Sequence, residues 1–197
     1  MSRVGPLAVG LLLLAGPAGA AEKQVRPFVA VTFAGSTTFV DSELAAGGPN
    51  RVLGVNAAWL GELVGVEADV GWAPGFLQAG RRNLVLHSGV TTVMGNIIVA
   101  APKRLTEYTL RPYAVAGGGV MHVRIEHPFG VLGVRENLAS ITLGGGAMGF
   151  LSKRAGVGWD IRRIRSVKSS APVTGVTIGG PGRLSFWRAG MAVVLRY

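Results

Sequence analysis

The sequence contains no cysteine, so no disulfide can staple the fold. Charged residues are scarce at 15%, and acids number 10 against 20 lysines and arginines. A chain that is 49% hydrophobic and this poor in charge would present a hazardous surface to water, which points to lipid as its surrounding. The deficit of acids leaves a formal charge of +10. That surplus suits acidic neighbours such as lipid phosphates. Without a basic groove motif no nucleic-acid partner is expected. Long apolar runs are also missing beyond the N-terminal region. The nearest candidate, "LVLHSGVTTVMGNIIVAA" from Leu84 to Ala101, is broken by His, Ser and Asn and rich in β-branched residues, which favours strand over a spanning helix.

What is present begins with a leader. "MSRVGPLAVGLLLLAGPAGAAEKQ" carries Arg3, an apolar stretch from Leu7 to Leu14, and the small residues Ala18-Gly19-Ala20-Ala21. This is the pattern of a secretory signal peptide over residues 1–21, with its apolar stretch too short to span a bilayer. Residues 22–197 then form one domain, with no linker or second unit in view.

Through this domain the hydrophobic pattern has a period of two. In Leu63–Ala73, Val64, Val66, Ala68, Val70 and Trp72 share one face, while Gly65, Glu67, Asp69 and Gly71 share the other. In "LSFWRAGMAVVLRY", Trp187, Ala189, Met191, Val193, Leu195 and Tyr197 face one way, and Phe186, Arg188, Gly190, Ala192, Val194 and Arg196 the other. One face is apolar and ends in aromatics; the other is small, charged or mixed. A soluble ligand-carrying barrel would show the inverse. The aromatics Trp72 and Tyr197 fit interfacial girdles.

Eight segments follow this pattern: 27–40, 50–60, 62–73, 83–100, 108–125, 137–151, 155–166 and 184–197. Connections after the first, third, fifth and seventh are longer and rich in Gly and Pro. Those after the second and sixth are tight, and "APKRLTE" after the fourth is intermediate. Such alternation predicts an all-β fold, an eight-stranded antiparallel up-and-down transmembrane β-barrel, closed because lipid leaves no edge unpaired. The chain resembles the small outer-membrane β-barrel family of Gram-negative bacteria. The resemblance rests on the leader, on "GVEADVGWAPGF", "TTVMGNIIVAAP" and "RPYAVAGGGVMH", and on the C-terminal aromatic strand. It implies a cell outer-membrane location after export through the periplasm, both termini on the periplasmic side, and no fixed activity. It also implies recognition by the barrel-assembly machinery through Val193, Leu195 and the terminal Tyr197, although Ala192 stands where the family usually has Gly.

Glu67 and Asp69 are the first candidates for chemistry, since same-face residues two apart on a strand lie about 7 Å apart, a spacing open to an acid/base pair. The other strands supply a plainer role. Asp160, Arg162, Arg188 and Arg196 also project to the non-lipid face, and six charges in a narrow lumen would neutralise one another. A structural ion network of Glu67, Asp69, Asp160, Arg162, Arg188 and Arg196 is the reading adopted. A lipid A deacylase type of enzyme needs a His and a Ser on one face near a strand end. His87 and Ser88 are adjacent and therefore point oppositely. His122 is placed at the lumen or rim and His127 in a loop, and no metal-ligand spacing is evident. "AGGGVM" and "LGGGAMG" lack the Lys-Ser/Thr of a phosphate-binding loop and are read as room for bulky lumen neighbours. No cofactor is expected.

Arg81, Arg82, Arg163, Arg165 and Lys168 fall at the end with the long connections, as candidate contacts for lipopolysaccharide phosphates. The function expected is structural or surface interaction without catalysis. A lipid-modifying enzyme and a narrow channel or small-ligand carrier stand as the alternatives.

Overall fold

The computed structural model describes residues 22–37, 49–76, 87–102, 106, 110–126, 134–167 and 183–197; residues 1–21, expected to be a leader, and the stretches carrying Arg81, Arg82, His127 and Lys168 lie outside them. Eight strands follow in chain order: β1 Glu22–Thr37, β2 Asn50–Leu60, β3 Val64–Pro74, β4 His87–Ala100, β5 Arg111–Glu126, β6 Val134–Phe150, β7 Ala155–Ser166 and β8 Leu184–Arg196. Each pairs antiparallel with the next, and β8 pairs with β1 to close the barrel. The Tyr197 amide donates to the Lys23 carbonyl at 3.0 Å, extending that last seam to the end of the chain.

The strands form because the period of two holds nearly everywhere. β3 alternates exposed and buried at every residue from Val64 to Pro74, with Glu67 and Asp69 on the buried side. Outward side chains are large and apolar: Val29, Ile97, Leu143 and Met191 are 61%, 58%, 66% and 67% exposed. A continuous jacket of this kind belongs against hydrocarbon. No helix among the described residues is long and apolar enough to cross a membrane. Trp59 and Tyr197 are exposed toward the end with the short turns, and Trp72 toward the other end. Phe33 and Trp187 join this second group, stacked with ring centroids 6.4 Å apart.

Two differences from the sequence pattern have clear causes. β1 starts at Glu22, five residues before 27, because Glu22, Gln24 and Arg26 continue the inward face and are buried there. β6 starts at Val134 and pairs Arg135 and Glu136 with Arg124 and Val123. The connection after β5 therefore shrinks to 127–133, shorter than 101–110 after β4, and the alternation of long and short connections is less regular than expected. β1 also carries a bulge between Phe33 and Ser36 where it pairs with β8, with Ala34 at φ 47°. A left-handed alanine costs about 1–3 kcal/mol, so the surrounding pairing must hold it there.

The lumen is filled in layers. Toward the long connections lies an apolar layer that includes Phe28, Met94, Met121, Ile164 and Phe186. Toward the short turns lies a second, with Leu60, Ile98, Val115, Met148 and Val194. The polar residues of the next section sit between them. β6 makes room for this middle layer through glycine: Gly144 opposes Arg162 and Gly146 opposes Asp160. A Cβ on Gly144 would stand 2.3 Å from the Ile161 carbonyl oxygen and 2.9 Å from Arg162 Cγ. Gly144→Val is accordingly expected to destabilise the barrel by about 1–3 kcal/mol through overpacking. A lower urea midpoint for loss of the heat-modifiable gel band would show it, and an unchanged midpoint would contradict the tight fit.

Candidate functional site: a charge-neutral network across the lumen

The middle layer is built by inward-facing side chains from seven strands. Arg26 comes from β1, Asn56 from β2, Glu67 and Asp69 from β3, and Asn96 from β4. Tyr113 comes from β5, Asp160 and Arg162 from β7, and Arg188 from β8. Glu67 is the hub. Its Oε1 accepts from Arg162 Nη1 at 2.5 Å and from Asn96 Nδ2 at 2.8 Å. Its Oε2 accepts from Arg162 Nη2 at 3.2 Å and from Arg26 Nη2. Asp69 takes a two-pronged bond from Arg188, Nη1 to Oδ1 at 3.1 Å and Nη2 to Oδ2 at 2.6 Å. Such fork-to-carboxylate pairing is the strongest geometry available to these groups. With its amide nitrogen turned toward Asp69, Asn56 adds a further bond to Oδ2 at 2.6 Å. Asp160 Oδ2 accepts from Arg162 Nε at 2.9 Å and Nη2 at 2.6 Å, and from the Tyr113 hydroxyl at 3.2 Å.

Aromatic faces complete the cage. The Arg26 guanidinium lies 5.6 Å from the Tyr113 ring centre and that of Arg188 lies 4.5 Å from Phe28. The side chains of Glu67, Asp69, Arg26, Arg162 and Arg188 are at most 3% exposed, and that of Asp160 is 14%. Three acids (Glu67, Asp69, Asp160) face three arginines (Arg26, Arg162, Arg188), so the formal sum is 3 − 3 = 0. Voids beside Arg26 and beside Arg188 measure about 10 Å³ each, room for about one water molecule.

The structure brings five of the six expected network residues together and separates the sixth. Arg196 shares the inner face of β8 with Arg188 but lies eight residues further along, about 27 Å of strand at 3.4 Å per residue. It pairs with Glu22 at 2.6 Å and lies over the Phe150 ring at 3.6 Å, at the mouth beside the short turns. Arg26 takes the place expected for it. Arg111 occupies the same mouth and donates to the carbonyls of Ala101, Gly61 and Glu62 at 2.9, 3.3 and 2.7 Å, tying two turns together. Arg26, Asn56, Asn96 and Tyr113 were not legible as members from charge alone. Strand parity carried to the start of β1, and attention to amides on inner faces, would have found them.

The remaining candidates lie on the outside. Arg163 and Arg165 are exposed on the outer wall of β7 toward the long connections; Arg81, Arg82 and Lys168 fall outside the described residues. His122 also faces outward, not into the lumen, and its Nδ1 hydrogen-bonds Asn137 Oδ1 at 2.7 Å. Among the described residues no three His, Asp or Glu side chains form a metal-ligand group. The three acids of the middle layer converge instead on guanidinium groups.

A closed eight-strand barrel with an apolar jacket, aromatics toward both ends and a packed lumen can be set beside solved structures. Neisserial surface protein A matches with a TM-score of 0.57 at 11% identity, over 88% of this chain and 96% of that one. The fold is that of the small eight-stranded outer-membrane barrels. Outer membrane protein OprG from Pseudomonas aeruginosa matches this barrel with a TM-score of 0.56 at 12% identity, over 90% and 96%. The attachment invasion locus protein Ail of Yersinia pestis, solved with the heparin analogue sucrose octasulfate, matches with a TM-score of 0.52 at 12% identity, over 89% and 99%. No protein-family model matches the sequence, and neither does any curated protein.

Removing one partner from the buried network leaves an uncompensated charge, a loss of about 3–5 kcal/mol. Glu67→Gln, which takes from Arg26 its carboxylate partner and leaves Arg162 with Asp160 and Asp69, is expected to lose that much in reversible urea unfolding from lipid vesicles. Arg196→Gln at the half-open mouth should lose less than half as much. Equal losses at the two positions would show that burial in the middle layer carries no special weight.

Proposed function

We propose that this protein is a non-catalytic outer-membrane β-barrel whose work is structural or is done at its surface, with no solute passing through it. The single observation that carries the reading is the neutral, largely buried network held between two apolar layers. A wide pore needs a hydrated lumen, and an eight-strand barrel is just narrow enough for side chains to fill it. A hydrolytic site needs a base held against a nucleophile, and the described partner of His122 is Asn137. In this reading the short turns and both ends of residues 22–197 lie on the periplasmic side, after export with residues 1–21 as leader, and the long connections face the medium. The terminal strand with Tyr197 at its end would be the part read by the barrel-assembly machinery.

The surface partner we infer is anionic. Arg51, Arg124, Arg135, Arg163, Arg165 and Arg183 are all exposed toward the long-connection end, where Glu136 is half-buried. Lipopolysaccharide is the ligand of this charge that every protein in such a leaflet meets, and arginine forks suit its phosphates. The sulfated sugar bound to Ail, a protein alike in fold only, shows that a polyanion can be held by a barrel of this shape.

Two measurements test the reading together. The outer-membrane fraction should contain the protein as a heat-modifiable band, and the purified barrel should give no stable conductance in planar bilayers. Steady ohmic channels would overturn the sealed lumen, and recovery in the soluble periplasm would overturn the membrane assignment.

A further inference from the structure

On the outer wall, the seam between β1 and β8 carries a feature that the sealed lumen does not use. Beyond the bulge at Ala34, a cleft of about 740 Å³ opens at the rim, between the outward Ser36, Ser185, Arg163 and Arg165 and the buried Ser166 and Leu184. Strand register arranges this wall in two rows. In the lower row Phe33 pairs with Trp187, and Trp187 with Arg163. The two rings stack within 14° of parallel, and the Arg163 guanidinium lies 5.6 Å from the Trp187 ring centre. In the upper row Ser36 pairs with Ser185, and Ser185 with Arg165. The two serine hydroxyls lie 3.1 Å apart.

The bulge is what creates this arrangement. Without the extra residue, β1 alternation would turn Ser36 toward the lumen. With it, Ser36 is exposed on the outer wall opposite Ser185. Among the described residues no acid lines the cleft, and neither Arg163 nor Arg165 has a carboxylate partner. A guanidinium resting on an aromatic face still directs its N–H groups outward in the ring plane, where they can fork onto a phosphate. Below the two rows the wall becomes apolar, with Val31 and Ile161 exposed at 47% and 40%. The donors are therefore stacked directly above a surface made for hydrocarbon, and aromatic rings mark the boundary between them.

We propose that this seam cleft binds the phosphorylated headgroup of an outer-leaflet amphiphile, with Arg163 and Arg165 on the phosphate, the serine pair on neighbouring sugar or glycerol hydroxyls, and acyl chains lying down the wall over Ile161 and Val31. A soluble polyanion would use the arginines but leave the aromatic row and the apolar wall beneath it unemployed. The inference rests on the reading that the long connections face the outer leaflet, and it gives the inferred anionic partner a defined site.

The test uses the full barrel in a maltoside detergent, with native mass spectrometry as the readout. The probes are a bisphosphorylated glucosamine lipid, the same lipid without phosphates, and inorganic phosphate as competitor. Wild-type protein should retain the bisphosphorylated lipid at least fivefold better than Arg163→Gln/Arg165→Gln, with Arg165→Gln alone intermediate. Arg154→Gln, on a short turn at the opposite end, should match wild type. Equal retention by wild type and the double variant would overturn the site. Equal binding of the dephosphorylated lipid would overturn the phosphate, and complete competition by millimolar inorganic phosphate would overturn the lipid in favour of a free-anion site. Heat-modifiable migration of each variant separates these outcomes from misfolding. Failure of wild type to enter bilayers would instead count against the membrane reading on which the site rests.

Discussion

Glu67 accepts hydrogen bonds from two arginines and an asparagine at a point in the lumen where its side chain has no exposure at all. Ionised groups so far from water persist only when their charge is matched and their lone pairs are used. Much of the barrel follows from that demand. Asp69 must meet Arg188, Arg162 must reach three acids, and β6 must carry glycine opposite Arg162 and Asp160 so that these side chains fit. The net balance of zero is what makes the layer tolerable between two apolar ones.

The value of such a layer lies in specifying one arrangement more than in adding stability, since buried ion pairs often do no better than apolar packing. A slip of one residue in the β3 register would carry Glu67 and Asp69 to the lipid face. Charges facing mid-bilayer lipid are penalised by an amount that depends on the residue and on its depth. It would also turn Val66 and Val70 into the lumen, where they offer nothing to Arg162 or Arg188. The alternating apolar jacket already resists that slip, and the network opposes it from the other side of the same strand. A lumen sealed in this way leaves little for the interior to do, which shifts any interaction with other molecules to the outer wall and the long connections.

Most of the fold was legible because a half-lipid, half-lumen strand writes its geometry directly into alternate residues. Val64 to Trp72 outward and Gly65 to Gly71 inward were correct residue by residue, and all eight strands were recoverable. Parity, however, reports a face and carries no height. Arg196 and Arg188 are equivalent by parity, yet one closes a mouth on Glu22 and the other binds Asp69 in mid-barrel. Arg26 was overlooked for the opposite reason: "EKQVR" has the polarity of a segment outside the membrane, although Glu22, Gln24 and Arg26 continue the inward parity of β1 and are buried there. Asn56 and Asn96 carry no charge to announce themselves. The bulge puts its positive φ on Ala34 and not on the neighbouring Gly35, so the seam cleft was invisible until the strands were paired.

The central claim, that the lumen charges act as one balanced unit, is tested most directly by a double-mutant cycle on Glu67→Gln and Arg162→Gln, measured by reversible unfolding in vesicles. The double variant keeps two acids, Asp69 and Asp160, against two arginines, Arg26 and Arg188, so it remains neutral. It should be more stable than the sum of the single losses implies by at least about 1 kcal/mol, within the range seen for coupled buried pairs. Additive losses, with no coupling between the two positions, would contradict the account.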